Sequence, residues 1–191
     1  YRSGNWDIWE HHLKTGLTTQ LTKDSYDDRE PQYGAGGVVF SSDRTDTYDI
    51  WAVQEGELRQ ITNTQGNAYS PSVSASGELA YVSARAGISR LMIGNDPGRE
   101  LTSQVGTISG VQWSPDNTRI SYQVVNAAGA EMRLVDVTSG ADESLTRTGE
   151  DVFPFRASWH GEDVLLSIAV VFIRSLTLAD GSMTDNAFTV E

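Results

Sequence analysis

An all-β fold of the propeller type is predicted by three phrases that recur along the chain at one spacing. Asp7-Ile8-Trp9 returns as Asp49-Ile50-Trp51, then in weaker form as Arg90-Leu91-Met92 and Glu131-Met132-Arg133. Gln20-Leu21-Thr22 keeps step with Gln60-Ile61-Thr62, Glu100-Leu101-Thr102 and Ser144-Leu145-Thr146. Pro31-Gln32-Tyr33, Pro71-Ser72-Val73, Val111-Gln112-Trp113 and Ala157-Ser158-Trp159 mark the other half of each unit. Self-similarity at a period of about 40 residues, rich in short strands, is the signature of propeller blades.

Taken in order, the first unit (1–22) is half a blade, because Trp6 to Leu13 and Thr18 to Thr22 supply only two outer strands. The second unit (29–62) reads as four strands. Glu30 to Tyr33 is extended and Gly34 to Gly37 turns; Val38 to Ser42 is β-branched and aromatic, which suits a pleated sheet. Asp43 to Thr47 is polar and turn-like, Tyr48 to Val53 forms a third strand, Glu55-Gly56 turns, and Leu58 to Thr62 closes the blade. The same parse gives units at 69–102, 109–146 and 153–191, four full blades and a half in all. No stretch keeps an apolar period of 3.6, so helix is expected to be almost absent. Trp9, Trp51 and Met92 share one register of the third strand and are expected to pack between blades as core. Each such burial contributes roughly 1.5–3 kcal/mol.

A ring left open exposes blade faces and edges, an aggregation hazard. The half blade therefore predicts inner strands upstream of Tyr1, or a partner, or self-association through the open faces. The chain starts on Tyr1 without a Met, in the middle of a repeat, which points to a fragment of a longer product.

Composition narrows the function classes. Among 191 residues, 26 acidic side chains stand against 14 basic ones, a formal net charge of −12. That balance opposes phosphate backbones and anionic lipid heads, so neither nucleic acid nor a membrane surface is an expected partner. The absence of cysteine removes disulfides, thiolate metal sites and a cysteine nucleophile. The longest apolar run, Val164 to Ile173, is about half the length a membrane-spanning helix needs.

Catalytic chemistry calls for convergent titratable groups. His11 and His12 are adjacent, so on a strand they face opposite ways and cannot chelate one ion together; His160 follows Trp159 at a turn. No nucleophile elbow, zinc-protease motif or phosphate loop is present. The expectation is no catalytic residue, no metal site and no cofactor. Asp43 and Asp49 are read as structural, accepting turn N–H groups or pairing with Arg44. A binding site is best placed at the channel mouth just before each innermost strand, where equivalent residues from successive blades meet. Asp28, Arg29, Tyr69, Asp151 and Arg156 are its candidates.

The phrases Ser41-Ser42-Asp43-Arg44, Tyr48-Asp49-Ile50-Trp51 and Trp113-Ser114-Pro115-Asp116-Asn117 resemble the TolB-type propeller repeat over essentially the whole chain. Asn117 stands where that family usually has Gly, and Asn also visits left-handed turns. Ser74-Ala75-Ser76-Gly77 departs further, lacking the Trp and Pro. The resemblance implies a ring of six or seven blades when complete, and a periplasmic or secreted location. The closing unit, from Glu150 to Arg156, then Trp159, Phe172 to Leu176 and Asn186 to Val190, is similar to the propeller end that precedes the barrel of amidohydrolase-like proteins. It departs at Ile168 to Val171, normally a polar turn with Gly. A non-catalytic module is thus expected, binding a protein or packing on an attached catalytic domain. The alternatives are a metal-dependent sugar-acid lyase and the gating propeller of a prolyl-oligopeptidase-like peptidase; fold alone does not choose.

Overall fold

A computed structural model describes residues 4–34, 36–146, 152, 155–169 and 172–187. Within them the chain is all strand and turn, with no helix. The half blade is β1 (Trp9–His11) with β2 (Thr18–Gln20). Unit two holds β3 (Asp28–Gly34), β4 (Gly37–Thr45), β5 (Thr47–Gln54) and β6 (Glu57–Gln60). Unit three holds β7 (Asn67–Val73), β8 (Leu79–Arg85), β9 (Ile88–Ile93) and β10 (Arg99–Val105). Unit four holds β11 (Thr107–Trp113), β12 (Arg119–Asn126), β13 (Gly129–Asp136) and β14 (Asp142–Ser144). Unit five holds β15 (Ser158–His160), β16 (Val164–Ala169), β17 (Phe172–Thr177) and β18 (Ser182–Ala187). Every unit is a separate antiparallel sheet with its strands in sequence order, which is a propeller blade.

Burial explains the recurring third-strand phrase. Ile8, Ile50, Leu91 and Met132 are buried at its middle position, each facing the following unit. Strand alternation turns the next residue the other way. Trp51 packs on the cluster shared with unit one, and Met92 on the cluster shared with unit two. Trp9 departs from the expected core role: it is 44% exposed, because no described sheet stands on its side. Among the described residues four apolar clusters result, each shared by two neighbouring units.

The fourth-strand phrase ties the outer edge down. Thr22, Thr62 and Thr146 accept the N–H of Ile8, Ile50 and Met132 on Oγ1 at 2.9, 2.8 and 2.7 Å. Leu21, Ile61 and Leu145 donate back to the carbonyls of those same residues. In unit three a register shift after Glu100 breaks the pattern, and Thr102 donates instead to Asp142 of unit four at 2.9 Å.

The first strands β3, β7, β11 and β15 line the channel, with β3 against β7 and β7 against β11. Three of them carry the same bulge, with register breaking between Arg29 and Gln32, Tyr69 and Ser72, and Ser109 and Gln112. Glu30, Ser70 and Gly110 sit in these bulges with φ of 53, 53 and 63°. The left-handed conformation costs a non-glycine residue roughly 1–2 kcal/mol. It is partly offset at Ser70, whose N–H donates to Glu30 Oε2 at 2.7 Å.

Candidate functional site

The candidates chosen from sequence separate into different environments. Asp28 is fully buried and receives Arg44 Nη2 at 2.8 Å; Arg44 also reaches Asp24 at 3.2 Å. Arg44 lies 5.0 Å from the Trp51 ring centroid, so the Ser-Asp-Arg phrase and the Asp-Ile-Trp phrase lock together. Its carboxylate partners are Asp28 and Asp24, rather than the expected Asp43 or Asp49. Asp43 accepts the Asp27 N–H at 2.9 Å. Asp49 is buried and accepts Thr62 Oγ1 at 2.9 Å and the Thr64 N–H at 3.0 Å.

Arg29 pairs with Asp27 at 2.7 Å and lies over Trp6 and Tyr48, 5.7 and 5.8 Å from their centroids. Tyr69 is half-buried. Desolvation pushes its hydroxyl above the usual range, a bond with Ser89 works against this, and the nearby Glu30 charge adds to it. Arg29 and Tyr69 meet in a cleft of about 420 Å³ between units two and three, shared with Glu30, Ser41, Tyr48 and Asn67. Asp28 and Arg156 do not line that cleft. Asp151 lies outside the described residues.

Arg156 lies deeper, in the channel itself. Its position in unit five matches Glu30, Ser70 and Gly110 of units two to four in the repeat. Its Nη2 donates to the Pro71 carbonyl at 3.2 Å, so the side chain reaches past unit four to unit three. Gly110 makes room: a Cβ there would stand 3.2 Å from the Arg156 Cα, and φ of +63° already favours glycine. Desolvation lowers the Arg156 pKa and the negative charge of Glu30 raises it, with desolvation prevailing.

Beyond Arg156 the channel opens into a cavity of about 580 Å³ at the C-terminal ends of the inner strands. Unit two contributes Gln32; unit three, Val73 and Ala75; unit four, residues 112–115; unit five, residues 156–159. Gln32, Gln112 and Ser158 occupy the same repeat position in three units, while Ser72, the fourth, is buried and accepts the Trp113 N–H at 3.2 Å. These amides and hydroxyls give and take hydrogen bonds, and guanidinium cannot lose its proton in a protein. The described lining thus offers hydrogen-bond donors and acceptors beside a fixed positive charge.

Arg156, one of the channel-mouth candidates, lines the channel-end cavity rather than the cleft that holds Arg29 and Tyr69. The signal for the deeper cavity was the Pro-Gln-Tyr phrase, whose middle residue repeats on the channel side. The histidines stand apart. His11 bonds Thr18 Oγ1 at 2.7 Å and His12 bonds Thr15 Oγ1 at 3.0 Å on the unit-one hairpin, whereas His160 ends β15. Among the described residues, no three His, Asp or Glu side chains are placed to hold a metal ion, and no helix is long and apolar enough to cross a membrane.

No protein-family model matches the chain, and no curated protein matches it in sequence. Solved structures do match in fold. TolB from Acinetobacter baumannii superposes with a TM-score of 0.71 at 15% identity, covering 91% of this chain and 47% of that one. A puromycin-hydrolyzing peptidase from Mycobacterium tuberculosis gives 0.74 at 10% identity, covering 94% of this chain and 33% of the peptidase. An oligogalacturonate lyase in complex with manganese gives 0.71 at 12% identity, covering 96% and 59%. The chain spans about half the length of the Acinetobacter protein and a third of the peptidase. The fold is that of a TolB-like β-propeller.

Proposed function

We propose that this chain is a non-catalytic propeller module that binds a protein segment at the channel end, or seats an attached catalytic domain there. One observation carries the reading: equivalent positions of successive units converge on one cavity lined by amides, hydroxyls, indoles and a fixed cation. Propellers recruit ligands in this way because each blade adds one short strand end to a common ring. The peptidase, three times as long as the part matched here, supports a module within a larger chain. A parent of the amidohydrolase-like kind and an envelope or secreted location belong to the same proposal, and rest on the sequence resemblance.

Selection from a random peptide library on the immobilised protein, followed by calorimetry of the peptides recovered, tests the reading. The selected peptides should weaken about tenfold or more with Gln112→Ala or Trp159→Ala, a loss of about 1.4 kcal/mol. Peptides indifferent to both substitutions, or hydrolysis of the library by the chain itself, would contradict it.

A further inference from the structure

We propose that the channel-end cavity is a carboxylate site, in which Arg156 receives an acidic side chain or the free C-terminus of a peptide. The inference rests on the reading of the cavity as a binding site and names the chemistry it selects. The chain carries a net charge of −12, yet among the described residues lining this cavity there is no Asp or Glu, and Arg156 is the one charged group.

That guanidinium is under-used. Arginine offers five N–H donors in a planar fork that matches a carboxylate with two parallel bonds. Arg156 donates to a single backbone carbonyl, that of Pro71, and no carboxylate of the described residues lies within ion-pair distance. The other well-covered arginines differ. Arg44 holds Asp28 and Asp24, Arg133 holds Glu131 and Asp142, and Arg174 holds Asp185. Glu30 acts on Arg156 through its charge but forms no ion pair with it, and its Oε2 accepts the Ser70 N–H.

Arg156 is partly buried, and covering a cation without a carboxylate partner is unfavourable, so a ligand carboxylate would relieve that cost on arrival. Charge-assisted bonds of this kind are roughly twice as strong as neutral ones. Gln32 and Gln112 stand where they could hold the amides of the chain that follows. The rest of the acidic protein repels anions, so any preference for an acidic over a neutral ligand must come from a local site.

The test pairs acetyl-Ala-Ala-Glu-Ala-Ala-amide with its Gln isostere, and acetyl-tetra-alanine as free acid with its amide. Binding is followed by calorimetry and by the fluorescence of the cavity-lining Trp113 and Trp159. At low salt at least one carboxylate peptide should bind about tenfold or more tightly than its neutral twin. The responding pair tells a side-chain carboxylate from a chain terminus. Arg156→Gln should erase the difference, Arg156→Lys should keep part of it, and Arg29→Gln should leave it intact. On the unaltered protein, which needs no variant to fold, rising salt should shrink the difference. Acidic and neutral peptides that bind alike, with no response to salt or to Arg156→Gln, would overturn the carboxylate site while leaving peptide binding in place. No binding by any of the four would overturn both.

Discussion

At the scale of single residues, buried polar atoms hold the blades' outer edges. Thr62 Oγ1 accepts the Ile50 N–H and donates to Asp49, and all three residues are buried. Thr62→Val keeps the shape but leaves the Ile50 N–H and one Asp49 acceptor unmet. Urea denaturation should show a loss of about 1–3 kcal/mol. Asp28→Ala should be worse. It strips a buried carboxylate from a buried guanidinium, and breaking such a pair costs about 3–5 kcal/mol, although Asp24 retains part of the pairing.

Turn aspartates contribute to the response to acid. At Asp116 desolvation acts upward, but bonds from Ser114 and Thr118 prevail and lower the pKa below its ordinary 3.8. Asp136 is lowered by the Ser139 N–H and hydroxyl, and Asp180 by Ser182. A depressed carboxyl pKa contributes stability that is complete above the unfolded value and is lost as pH falls through the folded one. The melting temperature should therefore drop below about pH 4. Asp116→Asn should flatten that drop. An unchanged slope in this variant would assign the acid response to other groups.

At the scale of the strand, the repeated bulge decides what the channel presents. Glu30, Ser70, Gly110 and Arg156 are one repeat position, yet the residue there plays a different part in each unit. Gly110→Ala adds a Cβ in a left-handed conformation 3.2 Å from the Arg156 backbone. Calorimetry should show a destabilisation of about 1–2 kcal/mol, with weaker carboxylate binding if Arg156 shifts with it.

The blades were legible in sequence because apolar alternation and the Asp-Ile-Trp and Leu-Thr phrases repeat in register. The bulge was not, because Glu30 and Ser70 are residue types that give no sign of a positive φ. The phrase Pro31-Gln32-Tyr33 was visible, but which side of the channel it lines depends on strand direction and on that bulge. Asp28 looked like a site residue, since a charged side chain in a turn usually faces solvent. Only the three-dimensional pairing with Arg44, distant in sequence, reveals it as buried.

At the scale of the whole molecule, the blades share their cores pairwise, so each unit depends on the next. In unit one, Trp6 and Trp9 are 56% and 44% exposed, and Leu13 and Leu17 on its hairpin are 90% and 64% exposed. Trp6 and Trp9 also line a groove of about 540 Å³ beside β3. Apolar exposure of this kind favours association. Light scattering over a concentration series should show a rising mean mass, and Trp9→Gln should reduce it. A mass independent of concentration would show that this face is tolerated in water.

The convergence of successive units on one channel-end cavity is tested most directly by mapping backbone amide shifts while a library-selected peptide is titrated in. Shifts should cluster at Gln32, Gln112, Arg156 and Ser158, residues that only the ring brings together. Shifts confined to the unit-one face or to the Arg29–Tyr69 cleft, with the channel end unmoved, would contradict it.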